Sequence, residues 1–251
     1  MLVMGILNVT PDSFADGGKH NDFESAVARG LQMIAEGVDI IDIGGESTRP
    51  GADRVSEEEE ITRTIPVIKE LAKQGVKISI DTMRANTAKA AIDAGATIIN
   101  DVSGGLADPL MLQTSAALKV PYIAMHWRGQ SKDMNSKAIY GDVVSDVISE
   151  LQERIDAALD AGIAKDNLII DPGLGFAKDA DHNWAIIDAI DQFVAMEFPV
   201  LVGASRKRFL GGDSPDEREQ ATIDLTKRLA PSGVWAVRVH SVKPHKEVLS
   251  V

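Results

Sequence analysis

The sequence predicts a closed (β/α)8 barrel whose functional site is built on the rim where the strands end. Eight short apolar runs carry this reading: "LVMGIL", "VDIIDI", "VKISI", "ATIIN", "VPYIAM", "NLIID", "FPVLVG" and "VWAVRV". The segments between them place apolar residues at spacings of three and four, the helical period. Near-continuous apolar strands alternating with helices describe a parallel sheet covered on both faces. Eight such units fit the 251 residues as one domain, residues 1–251, with no Pro/Ser-rich linker or charge block between them. An open doubly wound sheet shares the alternation and is the alternative fold.

The first run ends on Asn8 and opens "NVTPDSFADGG", too long and Gly-rich for a tight turn and read as a loop over the barrel mouth. Thr10, Pro11 and Asp12 would make a turn in any setting. A helix is expected over Phe23 to Glu36. "VDIIDI" brings Asp42 and then "GGESTRPG", where glycines, hydroxyls and an Arg gather as donors around an anion. "SEEEE" reads as the capped, acidic start of a helix over Ser56 to Lys73. "VKISI" leads to Asp81 and a helix over Arg84 to Ala94, and "ATIIN" leads to Asn100 and Asp101, both read as facing the rim. Carboxylates there suit a hard cation. They equally suit a nitrogen heterocycle, whose ring N–H and exocyclic amine match one carboxylate.

"VPYIAM" runs into "MHWRG", whose His126 is the kind that packs near a site more often than it acts in it. After a helix over Asp142 to Ala161, "NLIID" delivers Asp171 in "DPGLGF", whose glycines let backbone approach a flat ligand. "FPVLVG" is followed by Ser205, Arg206 and Lys207, where barrels often hold phosphate, and the last run ends in Arg238 and His240. His182 and His245 lie in helical stretches and are read as surface residues. Any one strand-end Asn, Asp or Ser could be a helix cap. Eight polar strand ends on one rim argue for a site.

Composition narrows the partners. A net charge of −12 and a pI near 4.8 argue against nucleic acid or an acidic membrane as partner, so an anionic ligand must meet locally clustered cations. Absence of Cys removes disulfides, thiolate catalysis and Cys-bound zinc, and fits a cytoplasmic protein. The opening "MLVMGILNV" has no basic n-region and is too short to span a bilayer.

The motifs "ILNVTPDSF", "DIGGESTRPG", "SIDT", "NDVSGG", "DPGLGF", "GASRKRF" and "RVH" occur in one order from about residue 3 to residue 242. On these the chain resembles the dihydropteroate synthase family, the sulfonamide target of folate synthesis, with an actinobacterial look to "MHWRG" and "DPGLGFAKDADHNW". The resemblance implies a transferase that joins 6-hydroxymethyl-7,8-dihydropterin diphosphate to 4-aminobenzoate with Mg²⁺. It also implies residue roles: Asp42, Asp81, Asn100, Met125, Asp171 and Lys207 around the pterin with Arg238 stacked on it; Asn8 toward Mg²⁺ and diphosphate; and Arg49, Arg238 and His240 at the anion. Phe14, Thr48, Pro50, Phe176, Ser205 and Lys207 fall on the aminobenzoate side, with Asp16 in the mobile loop acting in catalysis.

The chain departs from the family's pattern in starting almost on its first strand, in a short last helix, and in a seventh helix with Asp224, Lys227 and Arg228 where relatives show small apolar residues. Asp224 and Arg228 can pair across one turn, as on a solvated face. A homodimer packed on that helix is thereby in question. The competing reading is a pterin-binding barrel without synthase activity, like those of corrinoid methyltransferases, which would not need the cations of "STRPG", "SRK" and "RVH".

Overall fold

The computed structural model describes residues 1–10, 19–46, 54–130 and 134–250. Its order is β1 (Leu2–Asn8), α1 (Lys19–Ala35), β2 (Ile40–Gly44), α2 (Glu57–Ala72), β3 (Lys77–Asp81), α3 (Ala85–Ala94), β4 (Ile98–Asp101) and α4 (Met111–Leu118). There follow β5 (Tyr122–Met125), α5 (Val143–Asp160), β6 (Leu168–Asp171), α6 (Ala180–Asp188), α7 (Ile190–Val194), β7 (Leu201–Val202), α8 (Arg218–Leu229), β8 (Ala236–Val239) and α9 (Lys243–Leu249). Every strand pairs parallel with its neighbours, in the order β6-β5-β4-β3-β2-β1-β8-β7. The two ends of that order meet through a parallel bridge from Ile170 to Val200, where the Ile170 amide donates to Pro199 O at 2.9 Å. An open doubly wound sheet would hold β6 and β7 apart at opposite edges, so this bridge decides for the barrel.

Helix ends follow local chemistry. Ser56 accepts from the Glu59 amide at 3.1 Å to start α2, and Asp142 accepts from the Ser145 amide at 2.8 Å to start α5. Gly95, at φ 116, ends α3 in a conformation that a Cβ would oppose. The strands bury both faces. Outward residues such as Val3, Ile41, Ile78, Ile99 and Ile170 join the layer beneath the helices. Inward, Met4, Ile40, Ile98, Ile123, Ile169, Leu201 and Ala236 form a separate apolar floor, with Leu2 and Trp235 packed against it. Each large side chain buried there contributes about 1.5–3 kcal/mol. Among the described residues no helix is long and apolar enough to cross a membrane.

On the outer layer one expectation fails and one possible pairing is not made. His245 is not a surface residue: it is fully buried between α8 and α9, with Nδ1 2.8 Å from Thr226 Oγ1 and Nε2 3.6 Å from Glu219 Oε1. Helical spacing alone could not show that α9 lies against α8. Asp224 and Arg228 do not pair; Gln220 donates to Asp224 at 2.9 Å, while Arg228 reaches Asp188 at the end of α6, 2.6 Å away. The solvated face is there, but it is tied across helices rather than along one.

Candidate active site

Two residues along each strand separate the floor from the next inward layer, because side chains alternate faces. The step takes Ile40 to Asp42, Ile98 to Asn100, Ile123 to Met125, Ile169 to Asp171, Leu201 to Gly203 and Ala236 to Arg238. The upper layer is therefore polar and charged although it is nearly as enclosed as the floor. Arg238 is its hub, its Nε donating to Asp42 Oδ2 at 2.6 Å and its Nη2 to Asp81 Oδ2 at 2.7 Å. Asn100 Nδ2 also donates to Asp42 Oδ2, at 3.1 Å. Asp42 Oδ1 and Ser79 Oγ are buried with no hydrogen-bond partner among the described residues, which leaves open acceptors facing the barrel interior.

Electrostatics there are strained in favour of ligands that bring donors or positive charge. Burial pushes Asp81 up to about 7, with Asp42 adding repulsion and Arg238 pulling the other way. Burial would lower Arg238, yet the Asp42 and Asp81 carboxylates outweigh it and raise its pKa. Burial likewise raises Asp171, against the pull of the Gly173 amide, which donates to Oδ1 at 2.7 Å. Lys207 falls to about 8 through burial, with Asp171 opposing.

An apolar wall adjoins this cluster: Met83, Val102 and Met125, with Ala107, Trp127 and Phe176 against them. Lys207 Nζ sits 4.7 Å over the Phe176 ring and donates to Leu174 O. Gly175, at φ 77, is required at that approach, since a Cβ there would lie 2.7 Å from Lys207 Cδ. Carboxylates and an amide beside an apolar wall are groups that can take a flat heterocycle with a polar edge.

On the other side of Arg238, Ser205 Oγ lies 3.0 Å from His240 Nδ1 and accepts from the His240 amide at 3.2 Å. Asn8 closes β1 on the same rim. Arg206 is turned away from the rim although it stands between Ser205 and Lys207. It adopts φ 59, rare for a residue with a Cβ, and its guanidinium bonds Glu219 Oε2 at 2.7 Å and Ser241 Oγ at 3.0 Å. That left-handed residue splays Ser205 toward His240 and Lys207 toward Leu174. Phe14, Asp16, Thr48, Arg49 and Pro50 lie outside the described residues.

One predicted rim residue is misplaced. Asp101 alternates to the opposite face from Asn100 and spends both oxygens on the loop that follows. Oδ1 accepts from the Ser103 amide and hydroxyl, and Oδ2 from the Gly105 amide and the Tyr122 hydroxyl. His126, which the sequence left ambiguous and counted among the strand ends, packs beneath the site, buried between Glu150 and Lys178.

A model of the pterin-binding enzyme family matches residues 4–240. Dihydropteroate synthase of Mycobacterium leprae is 49% identical over 259 residues, covering 99% of this chain and 91% of that protein. The chain belongs to the dihydropteroate synthase family. A Xanthomonas albilineans dihydropteroate synthase solved with 4-aminobenzoic acid superimposes at TM-score 0.93 and 44% identity, over 99% of this chain and 90% of that one. A structure of the Xanthomonas albilineans enzyme in complex with 7,8-dihydropteroate superimposes at 0.90 and 40% identity, over 99% and 91%.

The family motif "GGESTRPG" carries a group to which sequence pattern assigned no role. Glu46, nearly buried, accepts from Arg54 Nε at 2.9 Å and the Val55 amide at 3.3 Å, and pairs with Arg84 Nη2 at 2.9 Å. Arg84 also holds Glu60 at 2.5 Å and donates to Val55 O. Residues on both sides of 47–53 are thus clasped to the start of α3. A Glu directly after two glycines, in a stretch otherwise rich in donors, was the available signal.

Proposed function

We propose that the chain condenses 6-hydroxymethyl-7,8-dihydropterin diphosphate with 4-aminobenzoate, giving 7,8-dihydropteroate and diphosphate. The observation that carries this reading is the enclosed ring of Asp42, Asp81, Asn100 and Arg238, with Asp171 and Lys207 on the same rim. Its acceptors suit the N–H and amino groups of a pterin edge, Arg238 and the Met125 and Phe176 wall suit its faces, and Lys207 provides a cation over Phe176. Phe176, Ser205 and Lys207 serve the aminobenzoate with Phe14, Thr48 and Pro50, while Asn8, Arg49, Arg238 and His240 serve the diphosphate.

The resemblance also implies Mg²⁺. Asn8 offers a hard amide oxygen on the rim, and among the described residues no group of three or more His, Cys, Asp or Glu could hold an ion. Asn8 together with the substrate's own diphosphate oxygens would hold it, as suits an ion that takes few protein ligands. Bound there, it supplies neutralising charge to the leaving group.

The chemistry follows from the charge arrangement. The bond from the pterin methylene carbon to the bridging oxygen breaks, and its electron pair leaves on diphosphate, held by Arg49, Arg238 and His240. The cation left on the methylene spreads into the pterin ring. Asp81 and Asp171, whose burial makes their charge costly, gain most when positive charge develops beside them, and Asp16 adds to them from its loop. The amine lone pair then forms the C–N bond, and the nitrogen gives up its proton to water or to the released diphosphate. An attack-driven route would need a base beside the amine. His240 Nδ1 is engaged by Ser205 and His126 is buried below, which supports cleavage ahead of attack.

The test uses pterin diphosphate carrying ¹⁸O in the bridging position, with Mg²⁺ and an unreactive aminobenzoate analogue. The label should scramble before product forms, less so in Asp16→Ala, and with 4-aminobenzoate diphosphate should be released. No release would overturn the assignment, and release without scrambling, at rates following amine basicity, would overturn the order of steps.

A further inference from the structure

Lys178 lies beneath the rim, and no step of the reaction uses it. It is buried, at 7% exposure, and pairs with no carboxylate among the described residues. Its Nζ instead faces His126 Nδ1 at 2.8 Å, Gly173 O at 3.1 Å and Phe176 O at 3.1 Å. An ammonium has three N–H groups, and here there are three acceptors. With Nδ1 accepting, the His126 proton belongs on Nε2, which donates to Glu150 Oε2 at 2.9 Å. Burial, with Lys178 beside it, takes His126 down to about 4, so the ring is neutral at neutral pH. Glu150, hydrogen-bonded by His126 and by Arg128, is held at about 2 and stays ionised.

The segment that Lys178 grips is the one carrying the pocket. Gly173, Gly175 and Ala177 stand at φ 69, 77 and 48, a left-handed course that glycine takes readily and that is rare for Ala177. Its carbonyls are fastened one by one: Gly173 O and Phe176 O by Lys178, Leu174 O by Lys207, and Ala177 O by the Tyr140 hydroxyl at 2.9 Å. Leu174 O and the Phe176 ring are the two surfaces against which Lys207 rests.

We propose that Lys178, as an ammonium backed by His126 and Glu150, is a positioning residue that sets the 173–177 segment and through it the placement of Lys207 in the pterin pocket. The proposal rests on the assignment of that pocket to a pterin. Loss of one proton leaves two N–H groups for three acceptors. Lys178 could then accept from His126 Nδ1 only if the ring changed tautomer, turning a bare Nε2 onto the Glu150 carboxylate. Burial draws Lys178 down to about 7; Asp171 and Glu150 raise it, Lys207 and Arg128 lower it, and Tyr140, itself pushed up to about 12, stays protonated. Deprotonation a little above neutrality therefore releases the segment.

Stability and binding should then move in opposite directions. An unfolded Lys keeps its proton to about 10.4 and the folded one only to about 7, so between these limits the unfolded state binds more protons and stability rises with pH. Pterin affinity should fall over the same range. A residue that merely fills space would move both together.

Calorimetric titration with a pterin analogue lacking diphosphate, from about pH 6 to about pH 9 on the full chain, tests this. At the acid end Lys178→Met should bind about tenfold more weakly than the parent, the equivalent of one lost hydrogen bond, and should lack the parent's fall in affinity near neutrality. Glu150→Gln, at a half-exposed position, removes the negative end of the chain, lowers Lys178 further and should move that fall to lower pH. A later decline from Lys207, and any change that Asp81 brings near neutrality, should persist in all three, so the effect of Lys178 is read as the difference between Lys178→Met and the parent. Parent-like affinity and profile in Lys178→Met, or a shift to higher pH in Glu150→Gln, would overturn the proposal. If Lys178→Met does not fold, Glu150→Gln decides alone. A parent that binds no analogue at any pH would instead remove the pocket reading on which this one stands.

Discussion

The floor and the rim of the barrel are built by the same strands two residues apart, yet they answer opposite demands. Below, Met4, Ile40, Ile98, Ile123, Ile169, Leu201 and Ala236 meet as one apolar cluster. Above, the next inward positions of four of those strands are Asp42, Asn100, Asp171 and Arg238, joined by Asp81, and all but Arg238 are buried. Removal from water stabilises the first set and penalises the second. What holds the second set in place is mutual: Arg238 offsets Asp42 and Asp81, and the remaining acceptors wait for a ligand. The barrel thus separates stability from chemistry by a single step of strand alternation.

The largest effect should come from removing the hub. Arg238→Met leaves Asp42 and Asp81 buried without their cation, which costs about 3–5 kcal/mol of stability as for any broken buried pair. Turnover should disappear, and affinity for a diphosphate-free pterin should fall with it. Thermal melts and calorimetry on the same preparation check both. A stable variant that still binds the pterin would mean that the rim does not depend on Arg238.

The two layers can then be set against each other on a single strand. Ile169→Ala, in the floor, should cost about 2–5 kcal/mol while leaving kcat unchanged at temperatures well below the melt. Asp171→Asn, two residues on, should reverse the pattern. The amide oxygen can still accept from the Gly173 N–H, and replacing a carboxylate that burial disfavours leaves the melting temperature equal or higher. Pterin affinity should nevertheless drop by about tenfold to a hundredfold, since a ligand donor loses its charged acceptor. If Asp171→Asn loses stability as Ile169→Ala does, the separation of roles fails.

This division also marks what the sequence could show. Apolar runs with polar ends revealed eight strands, the barrel and the rim, because period and burial are written in residue type. The parity of each rim residue was less visible. Asn100 and Asp101 are adjacent and both polar, and only the register of β4 against β3, Asp81 opposite Asn100, tells which faces inward. Arg206 was hidden for a related reason: its φ of 59 is a property of the folded turn, and it sends the middle residue of "SRK" to α8. Contacts between elements distant in sequence, such as Glu46 with Arg84 or His126 with Lys178, depend on helices closing over the strands and leave no local pattern. The family motifs supplied the ligand, which carboxylates alone left open between a hard cation and a heterocycle.

The smallest effect sharpens the comparison most, because it asks for a property the floor cannot have. Asp81 has a folded pKa of about 7 against about 3.9 when unfolded, with burial as the leading cause. Between those values the unfolded state releases its proton and the folded state keeps it, so the unfolded state binds fewer protons and stability falls as pH rises. The loss is on the order of 1 kcal/mol for each pH step of one over which the folded carboxyl alone keeps its proton. Asp81→Asn preserves an acceptor for Arg238 Nη2 but cannot titrate. Melting temperatures measured from about pH 4.5 to about pH 7 should therefore decline less steeply in Asp81→Asn than in the parent. Ile169→Ala should shift the whole curve down and leave its slope as in the parent. Equal slopes in the parent and Asp81→Asn would mean that Arg238 already keeps Asp81 ionised throughout this range. The charge strain of the rim would then rest on Asp171, whose own carboxyl burial holds above the usual range.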